Sequence, residues 1–169
     1  MLQTGARTFQ REDVVHPFGP VYDENSRILI LGSFPSVKSR EQNFYYGHPQ
    51  NRFWSVTASV FNAPVPVTVE QKKTFLLSHR IALWDVVESC TIIGSSDASM
   101  RDVKVNDIES LLSRTKIRRV FTNGKKAGSL YDKYVKGTTG IEAVCLPSTS
   151  PANASYSLER LIESWLVIR

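Results

Sequence analysis

Cysteine and histidine are scarce in this sequence, with two cysteines, Cys90 and Cys145, and three histidines in 169 residues. No Cys/His cluster has the spacing of ligands to zinc or to an iron-sulfur centre. Apolar runs stay well short of the ~20 residues that span a bilayer, and Met1 to Gln10 lacks the long apolar core of a signal peptide. No Gly-x-Gly-x-x-Gly turn follows the first strand-like run, which weighs against a dinucleotide-binding protein. Internal repeats and low-complexity tracts are also missing. The expectation is a soluble, cytoplasmic protein that uses no metal and no cofactor.

The length suits one domain over residues 1–169, able to bury about 68–70% of its unfolded surface without disulfides. Lys and Arg number 21 against 16 Asp and Glu, a formal charge of +5 that favours a polyanionic partner.

Residues 1–26 are polar and broken by His16-Pro17-Phe18-Gly19-Pro20, so they are expected to wrap irregularly around a core that starts at residue 27. Arg27-Ile28-Leu29-Ile30-Leu31 has the composition of a buried strand. Further strands are expected at 81–87, 117–121 and 142–146, separated by helical stretches. One helix covers 51–61 with its amino end at Asn51, and Thr68 to Gln71 opens another with a capping box. Gly94 to Asp97 reads as a break, and Asn106 to Glu109 repeats the capping pattern. The last helix has the clearest amphipathic stripe, from Leu158, Leu161, Ile162, Trp165 and Leu166. Alternating strands and helices predict an α/β fold, a three-layer α/β/α sandwich on a four-stranded parallel sheet.

A parallel sheet gathers the carboxyl ends of its strands at one edge, where ligands bind in open α/β folds. Here that edge collects Ser33-Phe34, Trp84-Asp85, Asn123-Gly124 and Ser148-Thr149-Ser150. Beside the first strand lies the tract Asn43 to Trp54, crowded with aromatics and holding His48, Asn51 and Arg52.

Three segments together resemble the uracil-DNA glycosylase superfamily. They are Gly32-Ser33-Phe34-Pro35-Ser36, Tyr46-Gly47-His48-Pro49-Gln50-Asn51-Arg52-Phe53-Trp54, and Leu146-Pro147-Ser148-Thr149-Ser150. The resemblance implies removal of damaged bases from DNA on a four-stranded parallel sheet, by a monomer. Iron-sulfur branches need four cysteines and are excluded. Phe34 stands where most relatives carry a water-activating Asp or Asn, a combination similar to the hypoxanthine-DNA glycosylase branch, in which the asparagine of the later run takes over the water. On this chain that asparagine is Asn51. The implied substrate is DNA containing deaminated bases, hypoxanthine before uracil. A G/U mismatch-specific uracil enzyme and a catalytically silent lesion-binding protein are the other readings.

The resemblance also places the remaining site residues. Tyr46 aligns with the aromatic that stacks on the extruded base, and Phe34 is either a second wall or plain core. Ser33 and Phe34 offer backbone N–H groups to a base carbonyl, while Asp85 could accept a ring N–H or serve only as a turn residue. His48 is a candidate donor to the base, or orders its loop. Arg52, Lys125, Lys126, Ser148, Thr149 and Ser150 are the candidate DNA contacts, the lysines standing at a helix amino end.

Overall fold

The computed structural model describes residues 10–93 and 99–169, so the break expected at Gly94 to Asp97 lies outside the described residues. At its centre is β2 (Ile28–Gly32), buried along its whole length. Its alternate side chains serve two different layers, as the pleat of a strand dictates. Ile28 and Ile30 join a core with Phe53, Val56, Leu161 and Trp165, whereas Leu29 and Leu31 join one with Ile108, Leu111, Tyr131 and Val135. β2 pairs in parallel with β3 (Ile81–Asp85) and with β6 (Arg119–Asn123), and β6 pairs in parallel with β7 (Ala143–Leu146). The order is β3-β2-β6-β7. Helices α2 (Phe53–Val60), α3 (Val69–Ser78) and α7 (Leu158–Trp165) supply the first core, and α4 (Ile108–Ser113) and α5 (Lys125–Tyr134) the second, while the short α1 (Val37–Gln42) follows β2 and α6 (Lys136–Thr139) follows α5. The three-layer α/β/α arrangement therefore stands as its sequence suggested. No helix among the described residues is long and apolar enough to cross a membrane.

Two local differences bear on the site. The strand expected at 81–87 is split, because β3 ends at Asp85 and the chain turns through Val86 into β4 (Val87–Ile93). The Val86 and Val87 N–H groups still donate to the Gly32 and Ser33 carbonyls, which keeps Asp85 beside the end of β2. Asn106 does not cap α4; Asp107 does, accepting from the Ser110 N–H. Asn106 is buried instead, its amide donating to the Asp85 and Val87 carbonyls at the split.

Residues 1–26 were expected to be irregular, yet β1 (Arg11–Val15) pairs antiparallel with β4, which pairs antiparallel with β5 (Met100–Val105). This second, three-stranded sheet packs on Phe34 through Val87, Cys90 and Ile92. Arg-Glu-Asp-Val-Val has no alternation to read, and it is a strand because β4 offers it a ladder, a tertiary effect that overrides propensity.

Candidate active site

One cavity of about 790 Å³ opens at the carboxyl edge of the parallel sheet. It is lined by Ser33, Phe34, Tyr46, Asn51, Asp85, Lys125, Lys126, Ser148, Thr149 and Ser150, which gathers most of the expected site residues although they span over a hundred positions. His48 and Arg52 are not among its lining residues. The His48 ring accepts the Gln50 N–H and its carbonyl accepts the Asn51 N–H, so it orders the loop. The Arg52 guanidinium donates to the carbonyls of Ser150, Asn153 and Tyr156, tying the start of α2 to the loop after β7. The contacts of His48 lie within its own turn, whereas those of Arg52 exist only in the folded chain.

The floor is built at the ends of β2 and β3. Gly32 and Asp85 are register partners, and the carboxylate folds back over the glycine. A Cβ on Gly32 would lie 2.3 Å from Asp85 Oδ1 and 2.9 Å from the Tyr46 hydroxyl, so no side chain fits there. Asp85 is buried, and its Oδ2 lies 2.7 Å from His16 Nε2. His16 was not anticipated, because its partner is 69 residues away and no local pattern marks it.

Tyr46 stacks on Phe53 with centroids 4.1 Å apart and planes 20° from parallel, and it also lines the cavity. Its backbone lies in the left-handed region at φ +51°, a conformation that costs of order 1–3 kcal/mol and is held by its surroundings. The hydroxyl is buried with no hydrogen-bond partner. Burial first, and the Asp85 carboxylate second, push its pKa far above the usual tyrosine value; the nearby Asn123 amide offsets a little of this without closing a well-formed hydrogen bond. The group is therefore a neutral donor. Because an orphan buried hydroxyl costs about 1–3 kcal/mol, Tyr46→Phe is expected to melt no lower than the parent, and calorimetry checks it. A clear fall in thermal midpoint would mean that the hydroxyl has a partner.

Asn51 sits where α2 begins. Arg52 is the formal N-cap and offers no side-chain cap, but Asn51 Oδ1 accepts the Phe53 N–H at 2.9 Å. Asn51 thus caps the helix from one residue before its formal N-cap. The same oxygen accepts from Thr149 Oγ1 at 2.9 Å. Thr149 is fully buried; its hydroxyl accepts from Asn123 Nδ2, and its N–H donates to Asn123 Oδ1. It is a bridge between two cavity asparagines, placed out of reach of a phosphate. Asn123, at the end of β6, was noticeable in the sequence as a polar strand end and still holds an unused amide hydrogen and lone pair.

Phe34 resolves as both wall and core, because it lines the cavity while its ring packs on the second sheet and lies 5.6 Å under the Arg40 guanidinium. Lys125 and Lys126 are exposed at the start of α5. There the helix dipole and their charge act together on an anion. Gly124 precedes them at φ +93°, pressed against Ser148, which brings the β7 loop close to this helix end.

Residues 20–167 match the model of the uracil DNA glycosylase superfamily. A hypoxanthine DNA glycosylase of Methanosarcina acetivorans is 39% identical over 154 residues, covering 90% of this chain and 96% of that protein. A hypoxanthine DNA glycosylase of Methanosarcina barkeri is 35% identical over 138 residues, covering 80% and 86%. A solution NMR structure of a candidate uracil DNA glycosylase from M. acetivorans superimposes with a TM-score of 0.78 at 38% identity, covering 90% of this chain and 94% of that one. With a family match over most of its length and a cavity at the strand ends, this chain belongs to the uracil DNA glycosylase superfamily.

Proposed function

We propose that this protein is a monofunctional DNA glycosylase that extrudes a deaminated base, hypoxanthine before uracil, and hydrolyses its bond to the sugar. The observation that carries the reading is the cavity itself, which Tyr46, Asn51 and Asp85 line together at the strand ends. The names of the two Methanosarcina relatives favour hypoxanthine.

In this reading the extruded base lies against Tyr46, whose other face rests on Phe53, and its ring N–H is accepted by Asp85. Water is placed by Asn51. Asn51 Oδ1 accepts from both the Phe53 N–H and the Thr149 hydroxyl, so in this reading the water takes the place of Thr149 at the second lone pair. The water oxygen bonds to C1′ and gives up a proton as the bond from C1′ to the base nitrogen breaks; the base leaves with the electron pair and takes up a proton, so none is gained or lost overall. The gain is mostly positioning, with fixed dipoles stabilising the departing base.

A panel of duplexes, each with a single hypoxanthine, uracil or xanthine, tests the reading. Release of hypoxanthine from matched duplexes is the expected result; release confined to G/U mismatches favours the mismatch-specific alternative, and lesion binding without release favours a silent binder. Affinity should also fall with salt, each neutralised phosphate contributing about −0.9 to the log–log slope. Lys125→Ala and Lys126→Ala are each expected to flatten that slope by about 1. A wild-type slope near zero would remove the support for a DNA partner.

A further inference from the structure

His16 is a buried titratable group to which the mechanism above gives no role. Its side chain is 2% exposed and its Nε2 lies 2.7 Å from Asp85 Oδ2, in a carboxylate 5% exposed. The imidazole does not line the cavity, whereas Asp85 does. His16 Nδ1 accepts the Phe18 N–H at 3.4 Å. A ring nitrogen that accepts carries no proton, so the neutral ring holds its proton on Nε2 and donates it to Asp85.

The ring cannot easily turn away. Phe18, Phe34 and Tyr45 box it in, with centroids 4.5, 6.1 and 5.9 Å from its own. Its backbone N–H donates to the Glu88 carbonyl at 2.7 Å, extending the β1 ladder on β4 by one residue. The second sheet thus delivers His16 to the floor of the site. Asp85 is fixed in turn by its register with Gly32 and by the Asn106 amide on its carbonyl. With Oδ2 clamped, Oδ1 is the oxygen turned over Gly32 beside the Tyr46 hydroxyl.

We propose that His16 is the positioning residue that makes Asp85 a fixed, acceptor-only reader of a ring N–H, so that the pair selects bases to which deamination has given that hydrogen. This rests on the glycosylase reading. Hypoxanthine offers N1–H and uracil offers N3–H, each missing from its parent base. Adenine N1 and cytosine N3 turn a lone pair to the same place, and a carboxylate repels it. A site built around such a hydrogen bond rejects the base lacking it more strongly than shape alone can. Guanine and thymine carry the same hydrogen, so their exclusion falls to other contacts. No bond is made or broken at His16.

The test is single-turnover base release from a deoxyinosine duplex by His16→Phe, His16→Gln, Asp85→Asn and the His16→Phe/Asp85→Asn pair, alongside duplex affinity. Misplacing a substrate-positioning group by about 1 Å can cost on the order of 10²-fold. His16→Phe should lose rate on that scale with duplex affinity unchanged, and His16→Gln, which keeps an N–H donor, should recover most of it. In the Asp85→Asn background His16→Phe should add nothing, since its effect passes through Asp85. Nitrogen-15 NMR of the wild-type imidazole, which needs no variant to fold, should show the proton on Nε2. Full release by folded His16→Phe, equal losses in both backgrounds, or a proton on Nδ1 would each overturn the inference alone. A wild type that releases no deaminated base from any duplex would overturn the glycosylase reading and this inference with it.

Discussion

Asn51→Ala is expected to lose about 10²-fold or more in single-turnover release of hypoxanthine, the scale on which a misplaced reactant acts. Duplex binding should persist, because the exposed lysines at the start of α5 are untouched. The fold should also weaken. Asn51 Oδ1 holds the Phe53 N–H and the hydroxyl of fully buried Thr149, and losing an acceptor at a helix start costs about 0.5–2 kcal/mol. Each kcal/mol lowers the midpoint of a chain this size by about 2–4 °C. A pure cap and a water-positioning residue therefore make separable forecasts, since a cap alone leaves release per folded molecule near wild type. Rates measured well below the midpoint, next to thermal melts, decide between them. Full release by folded Asn51→Ala would sink the assignment.

Gly32→Ala is expected to cost stability and activity together. The new methyl carbon would sit 2.3 Å from Asp85 Oδ1, closer than any real Cβ contact. An exposed side chain would swing aside cheaply, but this carboxylate is held by the buried His16 ring and by pairing along β2 and β3. Either the His16 bond breaks or the end of β2 moves. Overpacking of this kind costs about 1–3 kcal/mol. Displacing Asp85 also removes the proposed acceptor for the base, so release should fall far more than melting alone accounts for. Chemical denaturation and single-turnover rates at matched folded fraction provide the check. A variant that melts and turns over like the parent would mean that Asp85 is freer than its contacts indicate.

The gap between these residues and their sequence signals is instructive at Arg52 and His48. Both lie inside a run that resembles a DNA-repair motif, and their chemistry suits a phosphate or a base. Arg52 is instead taken up by three carbonyls of a loop about a hundred residues later, and His48 by its own turn. Thr149 is similar, a hydroxyl in a motif loop that becomes a buried link between Asn51 and Asn123. Residue type announces what a side chain can bond to, while the fold settles which partner reaches it first.

By itself the sequence determined the parallel core, because buried strands and amphipathic helices are written in local periodicity: Ile28 to Leu31 and, in the last helix, Leu161 and Trp165 need no partner to be recognised, whereas Leu158 and Leu166 at the ends of that stripe stay exposed. The same periodicity located the strand ends, and with them Ser33, Asp85, Asn123 and Ser148 at one edge. Only the tertiary structure decided that β1 is a strand, that the chain kinks at Val86, and that His16 meets Asp85. Those features are made by hydrogen bonds between residues tens of positions apart, whose geometry exists only once the two sheets have packed around Phe34.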